Sequence, residues 1–240
     1  MHVSSCPFSN IFENSSINNS IDVTDNKARN KARNKARNKT PCPFINTILN
    51  INNFKDINTS NTDFMNAIKR LGIFDKAALF TLEYLILKQF VEPNGLINIP
   101  SIGEHGVIEH DVSLSRLDLA QGDNISFNKK HFAMLKNKSI DKKYLTLDNF
   151  TEFRKDLINS RRNTINFKYG MKELSTSCLE GAILYVIFSD ETKNVRIDWI
   201  DYFLVNAKFP YKLGFKLKSV SSIEIVNVTI AQIIQMLSNN

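Results

Sequence analysis

The sequence contains few cysteines: Cys6, Cys42 and Cys178 are the three in 240 residues. A small and odd number argues against a fold held together by disulfide bonds, which needs paired cysteines. Long apolar runs are also missing, and no stretch is long enough to cross a bilayer. The amino terminus has no basic start followed by an apolar stretch, so we expect no standard secretory signal. These absences favour a globular domain with free thiols and no membrane span.

Acidic residues are scarce in the first 40 residues, which contain seven lysines and arginines but only three acids, Glu13, Asp22 and Asp25. The formal net charge of +7 therefore comes mainly from this leader, because residues 41–240 hold 24 basic and 21 acidic residues. An Asn/Ser-rich stretch followed by an Asn-Lys-Ala-Arg repeat cannot bury enough apolar surface to offset the entropy of ordering. The composition predicts a disordered leader over 1–40 and a folded domain over 41–240. An arm for nucleic acid or acidic membranes is the alternative, but no aromatic residues separate the charges, so we expect no specific nucleic-acid partner.

The apolar residues of the folded part recur mostly at helical spacing. Strict alternation is scarce, so the pattern predicts a mainly α fold. A stretch near the carboxyl terminus, 223–237, fits a strand at its β-branched start and a helix further on. The segment 76–90 is so apolar that we expect a buried helix, ended by Pro93 and Gly95. The predicted helical segments are 44–53, 63–71, 76–90, 128–135, 147–160, 176–188 and 198–206.

Cys42 stands between two prolines in PCPFINTILN (41–50), where a helical pattern begins. The N–H groups and the dipole at a helix start stabilise a thiolate. Pro43 suits the first turn, where its missing N–H costs little. The motif therefore favours a thiolate held at a helix start, while a small buried cysteine remains the alternative.

Two acids and an imidazole lie side by side at Glu109, His110 and Asp111, with Ser113 close behind. Such a group is costly to bury without partners. One helical turn would place the oxygens of Glu109 and Ser113 on the same face, and oxygen ligands suit magnesium or manganese. Asp111 is expected to accept a hydrogen bond from His110 and fix its tautomer. A charged surface turn would also explain the pattern.

Glu180 lies early in the apolar segment TSCLEGAILYVIF (176–188) and shares a helix face with Leu184 and Ile187. An apolar environment disfavours the charged form of a carboxyl group, so such a group can exchange protons near neutral pH. The adjacent Gly181 predicts open space of the kind that a substrate needs. An acid interacting with the positive end of the helix dipole is the alternative.

These three motifs, taken in their order, resemble the fungal heme-thiolate peroxidases, the family of chloroperoxidase and the unspecific peroxygenases. HGVIEHDVSLSR (105–116) resembles the central motif of that family, and QGDNISFN (121–128) the segment after it. DWIDYFLVNAKFPYKLGFK (198–216) resembles its closing helix. His110 stands where the long peroxygenases have glycine, so the chain looks closer to chloroperoxidase and the short peroxygenases. The resemblance covers roughly 41–217 and implies a single, mainly α, heme-binding domain of the chloroperoxidase type.

The resemblance also implies roles for the motif residues. Cys42 would be the axial ligand of the iron of heme b, because a thiolate favours cleavage of the O–O bond of a peroxide. Glu180 would be the distal acid–base that moves a proton between the two oxygens of hydrogen peroxide. His110, held by Asp111, would orient Glu180.

A second ion and the substrate complete what the resemblance implies. Glu109, the backbone carbonyl of His110 and Ser113 would bind a magnesium or manganese ion beside a heme propionate. Hydrogen peroxide would oxidise a small organic molecule or a halide, and a shared fold does not decide between them.

The chain also departs from the family pattern in two places. The Asn-His-Gly that usually follows the cysteine motif is absent from LNINNFKDINTSN (49–61). The closing Glu-Arg-Leu-Pro is replaced by AKFP at 207–210. These departures keep a non-catalytic heme-binding or redox-sensing protein as the alternative. Location stays open, because the family is commonly secreted and no signal is visible here.

Overall fold

A computed structural model describes residues 39–52, 54, 58–163, 167 and 169–238. Most of the predicted leader, with Cys6 and nearly all of the basic repeat, lies outside the described residues. Its last two residues are described, and the second of them, Thr40, is buried and accepts a hydrogen bond of 2.8 Å at its carbonyl from Nδ2 of Asn46. The boundary between leader and domain stays a prediction, although Thr40 itself packs with the domain.

Eight α-helices carry the described part of the chain, so the predicted mainly α fold is confirmed. They are α1 (Pro43–Ile51), α2 (Asn61–Leu71), α3 (Lys76–Phe80), α4 (Lys129–Asn137), α5 (Leu147–Arg161), α6 (Met171–Phe188), α7 (Ile197–Asn206) and α8 (Ser222–Leu237). Two short antiparallel pairs join β1 (Asn58–Ser60) to β2 (Leu96–Asn98) and β3 (Tyr144–Leu145) to β4 (Val195–Arg196). No helix of the described ranges has both the length and the apolar composition that crossing a membrane requires.

Polar side chains at the N-cap explain where most of these helices begin. Each cap accepts a hydrogen bond from a backbone N–H of the first turn, which would otherwise lack a partner. The capping side chains are Ser60, Asp75, Asn128, Thr146 and Ser221. Helix α6 begins five residues before the predicted segment, because the Glu173 side chain accepts a hydrogen bond from the N–H of Gly170 and so satisfies a backbone donor at the helix start.

Two apolar clusters form the core. One surrounds α6 and α7 and includes Phe188, whose ring centroid is 4.7 Å from that of Phe203. The other surrounds α1 and α2 and includes Ile48 and Phe64. Phe44 packs against both clusters, so the segment that starts with Cys42 is fixed between them.

The segment 76–90 differs from the prediction of a buried helix. It is helical, but α3 continues as a π-helix (Thr81–Ile86) and a 3-10 helix (Leu87–Phe90). Phe80 is 58% exposed and Tyr84 is 51% exposed, and their rings pack against each other with 4.8 Å between the ring centroids. Apolar residues all around a surface segment cannot all reach a core, so part of this surface stays exposed.

The ambiguous stretch near the carboxyl terminus is helix α8 rather than a strand. It packs mainly against α6, and its inward residues Ile225, Gln232 and Met236 follow helical spacing. Its β-branched residues Ile223 and Ile234 point outward and are exposed, which explains why the sequence pattern favoured no single structure.

Candidate active site

Cys42 is the N-cap of α1, as the Pro-Cys-Pro motif predicts. Its backbone is extended, and Pro43 occupies the first helical position. The thiol is half-buried and forms no disulfide within the described residues. Upstream, the Thr40 hydroxyl accepts a hydrogen bond of 3.2 Å from the N–H of Cys42, and Asn46 in turn binds the backbone of Thr40. The turn before the helix is therefore fixed by its own side chains.

The groups around the Cys42 thiol have opposing effects on its pKa. Burial raises the pKa of Cys42, and the N–H groups of Ile45 and Phe44 at the helix start lower it. The charge of Glu180 raises this pKa further, whereas that of Arg116 lowers it. Desolvation thus outweighs the expected stabilisation by the helix start in the protein alone. The same contributions place Glu180 and Arg116 within electrostatic reach of the sulfur.

The central motif forms a loop that Glu109 closes. Its carboxylate is buried, with Oε2 at 2.8 Å from Nδ1 of His105. The other oxygen, Oε1, accepts a hydrogen bond of 3.1 Å from the N–H of Leu119. One carboxylate therefore joins the start of the loop to its end.

A strained turn at Val112 directs the middle of this loop. Its φ of 57° is in the left-handed region, which β-branched residues rarely adopt. Its N–H donates a hydrogen bond of 2.8 Å to Oδ1 of Asp118, and the other oxygen of Asp118 pairs with Arg161 on α5. Both charged side chains are buried. This pair holds the strained turn that presents Ser113 and Leu114 to α6.

His110 is held by the backbone of Asp111 rather than by its carboxylate, which corrects the predicted hydrogen bond. Its Nδ1 lies 2.9 Å from the carbonyl oxygen of Asp111. A carbonyl only accepts, so Nδ1 carries the hydrogen, and in the neutral ring Nε2 keeps its lone pair. The Asp111 carboxylate instead lies 4.0 Å from Nδ1 of His105. Burial raises the pKa of Asp111, and the charge of His105 opposes this.

Glu180, on α6, meets the loop through both carboxylate oxygens. Oε1 accepts a hydrogen bond of 2.8 Å from the Ser113 hydroxyl, and Oε2 one of 2.9 Å from the N–H of Leu114. Nε2 of His110 is 3.8 Å from Oε2. Polar groups surround this carboxylate, so the prediction of an apolar environment for Glu180 is wrong. Three separately predicted residues, Glu180, His110 and Ser113, are therefore neighbours.

The open space predicted beside Gly181 is filled. A β-carbon on Gly181 would lie 2.6 Å from Oε1 of Gln232 and 3.3 Å from Nη1 of Arg154. The amide of Gln232 donates to the carbonyl of Cys178 at 2.9 Å and accepts from Arg154 at 3.1 Å. On its other side Arg154 approaches Glu180, with Nη2 at 3.7 Å from Oε2. The glycine is therefore needed for close packing of α8 and α5 against α6.

Three buried residues near Glu180 were not predicted from the sequence. Arg116 and Arg154 are almost completely buried, and His131 on α4 is buried with its Nε2 lacking a hydrogen-bond partner in the described structure. Burial lowers the pKa of His131, and the charge of Glu180 opposes this. The sequence did contain a signal for Arg154, because Phe150, Arg154 and Leu157 share one helix face, and an arginine on an apolar face needs a buried partner.

The predicted magnesium or manganese ion receives no support from the structure. The described residues contain no group of three or more His, Cys, Asp or Glu side chains arranged to hold a metal ion. The expected ligand Ser113 donates its hydroxyl hydrogen to Glu180. The expected ligand Glu109 uses both oxygens to close its own loop. His110 directs its ring towards Glu180, and no observation assigns its carbonyl to a cation.

Comparison with known proteins connects this site to a family. The family described as "Peroxidase, family 2" matches residues 26–220. A chloroperoxidase from Leptoxyphium fumago is 28% identical over 138 residues, which is 51% of this chain and 37% of that protein. The chain thus aligns with well under half the length of that relative. The family match spans α1 to α7, with Cys42, the 105–116 loop and Glu180. The chain therefore belongs to peroxidase family 2, the chloroperoxidase family.

Proposed function

We propose that this chain is a heme-thiolate peroxidase or peroxygenase that uses hydrogen peroxide to oxidise a small organic molecule or a halide. The observation that carries the proposal is the position of the Cys42 thiol within electrostatic reach of Glu180, whose carboxylate contacts Ser113 and lies beside His110. The name of the relative, chloroperoxidase, supports a peroxidase and keeps halide among the candidate substrates.

The residues around Cys42 fit a heme. A half-buried thiol without a disulfide partner in the described chain can lose its proton to a metal. The N–H groups of Phe44 and Ile45 face the sulfur and stabilise the resulting thiolate. Heme bound through a thiolate supplies the oxidising chemistry, because the ligand's electron density favours cleavage of the O–O bond of peroxide. Cys42 would hold heme b, and the protein supplies the ligand, the pocket and the proton transfers.

Glu180 can hold a proton at a defined atom. The N–H of Leu114 can only donate, so Oε2 must remain an acceptor. The hydroxyl of Ser113 can rotate from donor to acceptor, so Oε1 can carry the proton without losing its hydrogen bond. Glu180 can therefore take a proton from one oxygen of hydrogen peroxide and return it to the other, and Oε1 is the oxygen whose hydrogen-bond partner can adapt to the change in protonation.

His110 and Arg154 position this acid–base. Nδ1 of His110 donates to the Asp111 carbonyl, and this bond fixes the ring with Nε2 3.8 Å from Oε2 of Glu180. The guanidinium of Arg154 attracts Oε2 from the opposite side, at 3.7 Å. The carboxylate is thereby kept in one orientation, as efficient proton transfer requires.

The experiment is the absorbance spectrum of the full chain supplied with heme, reduced and exposed to carbon monoxide. We expect a strongly red-shifted Soret band that Cys42→Ala abolishes. Cys178→Ala is the matched control, because Cys178 is also a thiol without a disulfide among the described residues but is buried in α6. A Soret band at its normal position, or no heme uptake, would contradict the proposal. Thiolate-ligated heme without peroxide-dependent oxidation would favour the alternative of a non-catalytic heme-binding or redox-sensing protein.

A further inference from the structure

The side chain of Arg116 is the least satisfied charged group near the candidate site. It is 1% exposed. Its Nη1 donates to the carbonyl and hydroxyl oxygens of Ser115 at 3.2 and 3.3 Å. Its Nε and Nη2 have no hydrogen-bond partner among the described residues. Burying a charged group with unpaired N–H groups is costly, so this pattern indicates a partner that is not a side chain of the described protein.

The unpaired atoms lie on one edge of the guanidinium. Nε and Nη2 are the side-on pair of donors that matches the two oxygens of a carboxylate. The guanidinium lies over the ring of Phe127, 5.7 Å from its centroid. This aromatic contact favours the cation but supplies no oxygen acceptor for Nε or Nη2.

The charges around Arg116 do not balance it. In the described part of the chain no carboxylate is within ion-pairing distance, although the charges of Glu180, Cys42 and Asp123 reach it. Asp123 already accepts from the N–H groups of Ile125 and Ser126. Burial lowers the pKa of Arg116 to about 10, so the side chain stays positive at neutral pH. A buried cation without a paired anion favours an anionic ligand.

A second buried arginine strengthens this argument. Arg154 is completely buried, and its Nε and Nη2 likewise have no hydrogen-bond partner in the described residues. Its neighbouring acid is Glu180, which is also the acid whose charge most affects Arg116. Glu180 is thus the main acid for two buried guanidinium groups, and of these two it forms an ion pair with Arg154 alone. An incoming carboxylate would correct this excess of positive charge.

We propose that Arg116 binds a carboxylate of the cofactor, namely a propionate side chain of heme, through Nε and Nη2. This inference rests on the proposed function, because it needs a heme beside Cys42. It gives the motif arginine a role in binding that is separate from the proton transfer of Glu180. Other anions, such as a carboxylate substrate or the Cys42 thiolate itself, are alternatives that the test separates.

The test compares heme with its dimethyl ester, in which both propionates lose their charge. Each ligand is titrated by absorbance into the full chain prepared without heme. We expect the unaltered chain to bind heme about 10- to 100-fold more tightly than the ester, as for a hydrogen-bonded charge pair. Arg116→Met should remove most of that difference. Arg70→Met is the matched control, because Arg70 is exposed on α2 and should leave the difference unchanged.

Each outcome decides the inference. Equal binding of heme and ester by the unaltered chain, or an undiminished difference in Arg116→Met, would overturn it. A Soret position that shifts in Arg116→Met without any loss of ester discrimination would assign Arg116 to the thiolate instead. If the methionine variant fails to fold by circular dichroism, Arg116→Lys replaces it and should lose part of the discrimination. Absence of heme uptake by the unaltered chain would reject the proposed function itself.

Discussion

Gln232 fills the space that a side chain on Gly181 would need. Its Oε1 lies 2.6 Å from the position of a β-carbon on Gly181, closer than real contacts allow. Gln232 is fully buried in α8, beyond the residues that match the family, and it holds Arg154 next to Glu180. The carboxyl-terminal helix therefore supports the helix that carries the candidate acid–base.

This contact predicts that Gly181→Ala destabilises the protein. The methyl group must displace a buried amide that binds Arg154 and the carbonyl of Cys178, so we expect a loss of about 1–3 kcal/mol in the free energy of unfolding. Urea unfolding followed by circular dichroism measures it. Gly103→Ala is the control, because its nearest neighbour is 3.9 Å away. Equal stability of Gly181→Ala and the unaltered chain would contradict the close packing.

The acid–base role predicts that Glu180→Gln loses peroxide turnover and keeps heme. General acid–base catalysis contributes about 10²- to 10⁴-fold, and we expect a loss in kcat of that order. Ser113→Ala should lose less, because Oε2 keeps its bond from Leu114. Glu173→Gln is the control on the same helix, since the glutamine oxygen can still accept the hydrogen bond from the N–H of Gly170. Full activity of Glu180→Gln, measured with a small aromatic substrate, would reject the proton role.

The backbone hydrogen bond of His110 predicts different effects at two adjacent positions. Asp111→Asn keeps the carbonyl that fixes Nδ1, so peroxide turnover should change by a few-fold at most. His110→Leu removes the ring that faces Glu180, and we expect a loss of about tenfold or more. Steady-state kinetics with peroxide as the varied substrate compares them. An equal loss in both variants would return a catalytic role to the Asp111 carboxylate.

The buried ion pair of Arg161 and Asp118 predicts that removing one partner costs more unfolding free energy than removing both. Arg161→Met leaves the Asp118 carboxylate buried and uncompensated, which costs about 3–5 kcal/mol of unfolding free energy. Adding Asp118→Asn should restore part of this, because no lone charge remains. The pair of Lys138 and Asp156, which is much more accessible to solvent, is the control, and Lys138→Met should cost less than about 1 kcal/mol. Additive effects of Arg161→Met and Asp118→Asn would show that the pair is not coupled.

Local signals in the sequence predicted the positions of the chemical residues. Proline on both sides of Cys42 specifies a helix start, and the structure places the cysteine at the N-cap. The apolar period around Glu180 specifies a helix, and α6 carries that residue. Each of these predictions depends on neighbours within one or two turns, which is the range over which capping and periodicity act.

Long-range packing was the part that the sequence could not supply. The sequence predicts open space beside Gly181, but Gln232, which lies 51 residues further along the chain on another helix, fills that space. The apolar segment 76–90 reads as buried, yet Phe80 is exposed, because periodicity does not state which surface a helix will find. The left-handed Val112 is also invisible in sequence, since a β-branched residue adopts it only under tertiary constraint from Asp118.

The Asp75 carboxylate joins the starts of two helices, a contact called here the Asp75 clip, and this contact predicts how stability depends on pH. Asp75 accepts from the N–H of Ala78 at the start of α3, and from the N–H and hydroxyl of Ser222 at the start of α8. The N–H of Ala78, followed by that of Ser222, lowers the pKa of Asp75 below its usual 3.8. A lowered pKa in the folded state means that the ionised carboxylate stabilises the fold. This contribution is complete above 3.8 and is lost as the pH falls through the lower, folded value.

Asp75→Asn tests the clip without removing the cap, because asparagine is an equally good N-cap. Its amide has no charge and does not titrate, so the variant should melt below the unaltered chain at neutral pH. The gap in Tm should narrow as the pH falls below 3.8 and through the lower, folded pKa, because only below that value is the unaltered carboxyl protonated in both states. Thermal melts at a series of pH values measure the gap, and other titrating groups cancel in the difference. A gap that is independent of pH would show that geometry, rather than the charge of Asp75, joins α3 to α8.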